Sequence, residues 1–356
     1  MVFNPFKLFL PKKILGVDIG TSSIKIVELS RWGGGRTLEN YGEIQSATLF
    51  KEPFKLSVKG SYLLSADFIS RAIRAILDEA KIKTKSAIFS IPDFSSFFVS
   101  FDLPPMTEKE IPEAVRFNAP QYIPLPISEI TLDWKVIAGV PGDKKSNLKI
   151  LVVVVARQVV QEYQRIARMA GLELYALEAE ALAITRALVK DNKKTICIVD
   201  IGVQSTTVNI VSRGVLEKSF SFDFASGNQL TYAIASALDK GYVEAEEIKQ
   251  KQGLLSQEKS INETLYILVD PLLAEIKKIS SEFYQVEGKE IEEIYLTGGT
   301  ANLPGLRDYC AEVLKKKVEI PNCFADFLYS PILNETLIEM GPRFSVAVGV
   351  SLQGLK

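Results

Sequence analysis

One seven-residue stretch occurs twice. Val17-Asp18-Ile19-Gly20-Thr21-Ser22-Ser23 returns as Val199-Asp200-Ile201-Gly202-Val203-Gln204-Ser205, and 182 residues separate Asp18 from Asp200 in a chain of 356. Each copy ends an apolar run, Ile14 to Asp18 or Thr195 to Asp200, and precedes a second β-rich run, Ile24 to Leu29 or Thr206 to Val211. An offset of about half the chain predicts two related halves facing each other across a cleft.

The chemistry of each copy follows from its residue types. A strand delivers an aspartate to its end. The glycine lets the backbone turn tightly and approach a ligand closely. The small polar residues that follow aim N–H groups and hydroxyls at anionic oxygens. The aspartate is badly placed to touch phosphate but well placed to hold Mg²⁺, directly or through its water shell. A third glycine-bearing turn, Leu296-Thr297-Gly298-Gly299-Thr300-Ala301-Asn302, also follows an apolar strand and suits a nucleoside lying against the backbone. No G-x-x-x-x-G-K-[ST] loop occurs, and no G-x-G-x-x-G follows a strand, so a P-loop is excluded and a dinucleotide site disfavoured.

Composition narrows the chemistry further. The chain has no histidine, which excludes Ser-His-Asp and Cys-His nucleophiles, histidine-ligated zinc and any histidine base. Its 42 basic and 43 acidic residues leave a formal charge of -1, with no electrostatic footprint for nucleic acid. Three cysteines, Cys197, Cys310 and Cys323, fit a reducing compartment rather than a disulfide framework. With 47% hydrophobic and 24% charged residues the chain is of folded type. Its most apolar run, Ile150 to Ala156, is too short to cross a bilayer and reads as a buried strand. The start, MVFNPFKLFLPKK, is too short and too interrupted by Pro5 and Pro11 for a secretory signal. These features predict a cytoplasmic protein.

Strands and helices mix throughout, so the class is α/β. Ser65 is the expected N-cap of a helix carrying Phe68, Ile69, Ala72, Ile73, Ile76 and Leu77 at helical spacing. Ala87 to Ile91 and Phe97 to Leu103 are expected strands. Thr107 and Glu110 suggest a capping box opening the next helix. Strands Ile130 to Ala138 and Leu148 to Ala156 follow, then helices Gln158 to Met169 and Ala176 to Val189. In the second half, helices are expected at Gly227 to Leu238, Glu244 to Lys251, Asn262 to Val286 and Phe344 to Gln353.

The three turns, in this order and spacing, resemble the phosphate-1, phosphate-2 and adenosine motifs of the actin/Hsp70/sugar-kinase superfamily. Leu15 to Lys25 closely resembles the opening of the PilM family of type IV pilus assembly proteins. Residues 86–171 resemble the small subdomain that PilM and the cell-division protein FtsA carry in place of actin's usual insertion. The resemblance implies an actin-like ATPase fold of two duplicated lobes around a nucleotide cleft. Its expected parts are a tail (1–13), a first lobe (14–85 with 172–192 and 342–356), the FtsA-like insertion (86–171), a second lobe (193–225 with 288–341) and that lobe's helical subdomain (226–287).

The resemblance also implies roles. Gly20, Thr21, Ser22 and Ser23 would cradle the terminal phosphates of ATP from the first half, with Lys25 adding charge. Gly202, Gln204, Ser205 and Thr206 would do so from the second, while Asp18 and Asp200 orient Mg²⁺ and its waters. Gly298, Gly299 and Asn302 would line the nucleoside, Glu246 and Lys249 would reach ribose and adenine, and Gly227 and Asn228 would open a helix toward the nucleotide. Glu178 is the candidate for orienting water, with a solvated helix-start carboxylate as its plainer reading. ATP is then a conformational ligand, with weak turnover at most.

By resemblance the partner is the N-terminal cytoplasmic segment of the inner-membrane protein PilN, which would place the chain peripherally at that membrane. Pilus motor ATPases and self-association are further implied contacts. Phe89, Ile91, Phe94, Phe97, Phe98 and Phe101 are the candidate groove residues, between the insertion and the first half, or else plain core. The tail offers Phe3, Phe6, Phe9 and Leu10 with Lys7, Lys12 and Lys13, suited to a membrane surface, a neighbouring subunit or folding back. An FtsA-like filament protein is the alternative. A small-molecule kinase would need a substrate lobe and a catalytic aspartate, neither of which is identifiable.

Overall fold

The structure is a computed structural model and describes residues 13–32, 34–45, 66–190 and 193–355. The tail residues 1–12 and the expected cap Ser65 lie outside them. The chain opens with β1 (Lys13–Ile19), β2 (Ser23–Trp32), β3 (Gly35–Gln45), α1 (Ala66–Glu79) and β4 (Ser86–Ile91). An excursion follows through β5 (Ser96–Leu103), α2 (Ile111–Asn118), β6 (Ile130–Ala138) and β7 (Leu148–Ala156). Helix α3 (Arg157–Ala170), β8 (Glu173–Ala179) and α4 (Glu180–Leu188) lead into the second half. That half holds β9 (Thr195–Ile201), β10 (Thr206–Ser212), β11 (Val215–Phe222), α5 (Gly227–Leu238), α6 (Tyr242–Gln252) and α7 (Lys259–Glu287). The chain closes with β12 (Glu293–Thr297), α8 (Leu306–Leu314), β13 (Lys317–Glu319) and α9 (Asn334–Gln353).

The repeat read in the sequence extends to whole sheets. One sheet runs β3-β2-β1-β4-β8 and the other β11-β10-β9-β12-β13. In both, the first three strands in chain order pair antiparallel and the last two are parallel additions. The central strands β1 and β9 are buried nearly end to end, as strands covered on both faces must be. Each sheet therefore delivers its aspartate from a strand with little freedom to move.

Several elements differ from the sequence reading. Glu173 to Ala179 is a strand, not the start of a helix. Its residues are good helix formers, but parallel pairing with β4 decides their state. The Thr107–Glu110 pair closes a turn, with the Thr107 N–H donating to Glu110 Oε2 at 2.7 Å, and α2 starts only at Ile111. Finally, β4 pairs with β1, and α3 buries Tyr163, Ile166 and Ala167 in one core with Ile69 and Ile73 of α1. Both elements thus sit in the first lobe rather than the insertion. The insertion is the three-stranded sheet β5-β7-β6 with α2, around its own core of Phe101, Leu103, Ile111, Val115, Ile150 and Val152.

Helix α9 begins at Asn334, before the expected Phe344, and packs on α4 and β1, where small residues make the fit. A Cβ on Gly349 would stand 2.0 Å from the Ala183 carbonyl oxygen of α4, so the two helices touch backbone to backbone. Among the described residues, no helix is long and apolar enough to cross a membrane.

Candidate functional site in the interlobe cleft

The two repeated turns close in the same way. The Gly20 N–H donates to Ser23 O at 3.0 Å, and the Gly202 N–H donates to Ser205 O at 3.0 Å. Both turns line one cavity of about 340 Å³, within the range of small-molecule sites. Asp18, Gly20, Thr21, Ser22, Ser23 and Lys25 form one wall, and Asp200, Gly202, Gln204 and Ser205 the other. Gly298, Gly299, Gly227, Asn228, Glu246 and Lys249 also border it.

The third turn is wedged between the lobes. Thr297 Oγ1 and the Gly298 N–H both donate to Pro342 O of α9, at 2.8 and 3.0 Å. Gly298 has φ +89°, and a Cβ there would lie 2.3 Å from Asp200 Oδ1. Only glycine lets this turn pass so close to the carboxylate.

Several expected roles change on contact with the geometry. Glu178 does not border the cleft. Both its oxygens accept from the guanidinium of Arg186, which also donates to Gly349 O at 2.8 Å. Glu180, the first residue of α4, borders the cleft instead. The missed strand explains the shift: β8 carries the chain past Glu178 before α4 starts. Thr206 is fully buried and donates to Ala225 O, while its neighbour Thr207 faces the cavity. Asn302 donates to Glu339 O away from the cavity. The Gly227 and Asn228 amides are spent on Gly202 O and Val203 O, each at 2.9 Å, so they brace the second turn rather than face a ligand. Lys249 is buried, with its ammonium held by Gly227 O, Thr231 Oγ1 and Glu246 Oε2, which pins α6 to α5.

The floor of the cleft is acidic. Asp18 receives Lys25 Nζ at 3.2 Å and Ser90 Oγ at 3.0 Å. Burial would push the Lys25 ammonium down, but Asp18, Glu43 and Glu180 outweigh it and hold the lysine charged. Asp93, at the start of the excursion toward the insertion, accepts from the Ala181 N–H at 3.1 Å. Its own N–H donates to Glu180 Oε2 at 3.3 Å. Burial pushes Asp93 up to about 6. Burial, with Asp93 and Asp18 adding repulsion, pushes Asp200 to about 7. Glu180 is raised well above the usual carboxylate range, by burial and then by Asp18, Asp93 and Asp200. The sequence reading missed Glu180, Asp93 and Thr207, which carry no motif and converge only through the fold.

This donor set fits a divalent cation. Four carboxylates converge where Lys25 supplies positive charge, and an added cation relieves their repulsion. Among the described residues, no three acids or cysteines converge as a metal's own ligands, so the ion would be held largely through its waters. A pH signature follows. The folded Asp200 and Asp93 keep protons that the unfolded chain releases near pH 4. Their contribution is therefore full at acid pH and lost as pH rises through about 6 and 7. In metal-free buffer the unfolding free energy should fall between pH 5 and 7.5, by up to about 1.4 kcal/mol per pH unit per group. Asp200→Asn should flatten that slope in denaturant titrations, and an unchanged slope would contradict the assignment.

Residues 16–355 match the family described as type IV pilus assembly protein PilM. The chain belongs to the PilM family. It is similar in structure to a solved PilM-PilN type IV pilus biogenesis complex, at 25% identity and a TM-score of 0.85 over 98% of this chain and 100% of that one. It is also similar to the cell division protein FtsA of Enterococcus faecalis (strain ATCC 700802 / V583), 22% identical over 86% of this chain and 78% of the relative. MreB 5 of Spiroplasma citri, solved bound to AMPPNP, shares the fold at 13% identity and a TM-score of 0.51, over 96% of this chain and 95% of that one. The two matched sheets are thus the lobes of an actin-like α/β fold, as the sequence reading expected.

Proposed function

We propose that this PilM family member binds Mg²⁺·ATP between its lobes and uses the bound state to scaffold a type IV pilus assembly complex. The observation that carries the reading is the pair of identically closed glycine turns on opposite walls of one cavity. Thr21, Ser22 and Ser23 meet the phosphates from the first lobe, and Gln204, Ser205 and Thr207 from the second. Asp18 and Asp200 hold Mg²⁺ through its waters, and the ion supplies the positive charge that lets a polyphosphate lie over an acidic floor. The nucleoside lies along Gly298 and Gly299, with Glu246 near the ribose. The nucleotide bound by the MreB 5 neighbour supports this use of the fold.

Glu180 replaces Glu178 as the group able to orient water. Burial and its acidic neighbours push its carboxyl well above the usual range. Turnover is weak at most, and ATP acts as a ligand that favours the closed lobes. The partner is the N-terminal cytoplasmic segment of a PilN-type membrane protein. The solved complex supports that choice. The chain is then cytoplasmic and reaches the inner membrane, and through it the pilus motor, by way of partners. Of the expected groove aromatics, Phe89, Ile91 and Phe101 are core, Phe94 borders the nucleotide cleft, Phe98 lines a second cavity and Phe97 is exposed.

Titration calorimetry with Mg²⁺·ATP, and pull-down by an immobilised PilN-type N-terminal peptide, test the two halves of the proposal. Saturable binding in both is expected. No heat at millimolar nucleotide removes the first half, and no capture with or without ATP removes the second.

A further inference from the structure

The insertion is tethered to the first lobe at both ends, through β4 before it and α3 after it. Its flank nevertheless reaches the second lobe. Lys149, on the insertion's central strand β7, sends its ammonium to Glu217 of β11 at 3.2 Å and to Glu287 at the end of α7. Glu217 is almost fully buried and is shared with Lys289 at 2.9 Å. Burial opposes the charge on Lys149, but the two acids outweigh it, and Glu287 is correspondingly held low. Beside this bridge lies a cavity of about 420 Å³ between β5, β11 and α7, lined by Phe98, Leu151, Phe220, Phe283 and Val286. This side of the interface is an open groove rather than a close-fitted core, so it can shift without breaking tight packing.

The insertion's other end enters the nucleotide cleft. Pro92 and Phe94 border the cavity there. Asp93, between them, accepts from the Ala181 N–H of the first lobe. One small subdomain is thus fastened to the first lobe at its root and to the second lobe at its flank.

We propose that the Lys149–Glu217–Glu287 bridge is a latch that holds the lobes closed, so that the insertion reports cleft occupancy at its far flank. The inference rests on the nucleotide reading above. In the arrangement observed, the two turns already face each other across one cavity, so the bridge belongs to the closed state. Losing it frees the second lobe to swing away, and the nucleotide then works against a more open population. Coupling is reciprocal: nucleotide that closes the cleft strengthens the bridge.

The experiment measures Mg²⁺·ATP affinity by calorimetry for the full chain and for Lys149→Met and Lys149→Arg, with amide hydrogen exchange on the wild type. Lys149 lies outside the cleft lining. Lys149→Met is nonetheless expected to bind at least about fivefold more weakly, the lower end of ordinary allosteric coupling, while Lys149→Arg stays near wild type. Mg²⁺·ATP should slow exchange in β5 and β11 of the wild type. A folded Lys149→Met with affinity within twofold of wild type overturns the latch and leaves the nucleotide reading intact. Should that variant fail to fold, unchanged exchange in β5 and β11 of nucleotide-saturated wild type overturns it equally. A wild type that does not bind Mg²⁺·ATP overturns the nucleotide reading and the latch together.

Discussion

Replacing Gly298 by alanine should abolish Mg²⁺·ATP binding and lower the unfolding free energy by about 3 kcal/mol, adding backbone strain to overpacking. Both penalties act at one atom. The residue sits at φ +89°, where side chains are strained, and the new Cβ would stand 2.3 Å from Asp200 Oδ1 and 2.6 Å from Ile201 O. Neither neighbour can move cheaply. Asp200 ends the central strand of the second sheet, and Ile201 O already accepts the Thr300 N–H. To admit the methyl, the third turn must lift off α9 and break its two bonds to Pro342 O. Chemical denaturation gives the stability loss and calorimetry the binding loss. A variant of native stability and affinity would show that this turn does not press on the aspartate.

Glu178 and Glu180 should part company when mutated, although they are two residues apart. Glu178→Ala leaves the Arg186 guanidinium without its bidentate partner in a mostly buried setting, and the expected cost is about 3 kcal/mol of stability. Mg²⁺·ATP affinity of the folded variant should stay within about twofold, because Glu178 does not border the cleft. Glu180→Gln should do the reverse. It removes a carboxyl crowded by Asp18, Asp93 and Asp200, so stability at neutral pH should hold or rise, while nucleotide affinity or slow turnover changes. Paired denaturation and binding curves check both. Loss of nucleotide affinity in Glu178→Ala, with Glu180→Gln silent, would restore the original assignment.

The sequence made the duplicated half legible because a strand, an aspartate and a glycine turn form a local unit whose chemistry needs no distant partner. Asp18, Gly20, Asp200, Gly202 and Gly298 were found that way, and each reaches the cavity. Glu180 was missed for a local reason. Residues 173–179 read as helix, and only pairing with β4 makes them a strand and hands the cleft position to the next residue. Thr206 and Thr207 differ by one strand position, which is the difference between core and cavity, and alternation alone does not say which face is which. Asp93 was invisible because its partner, the Ala181 N–H, is brought to it by a helix 88 residues further along the chain. The bridge at Lys149 is of the same kind: Lys149, Glu217 and Glu287 meet only when the insertion folds back onto the second lobe.

If Mg²⁺·ATP binds between the lobes, both repeated turns grip one nucleotide. Amide hydrogen exchange on the full chain, with and without saturating Mg²⁺·ATP, addresses that directly. Peptides covering residues 20–23 and 202–205 should gain protection together, over the same nucleotide concentrations. Protection confined to a single turn, or absent from both, would contradict it.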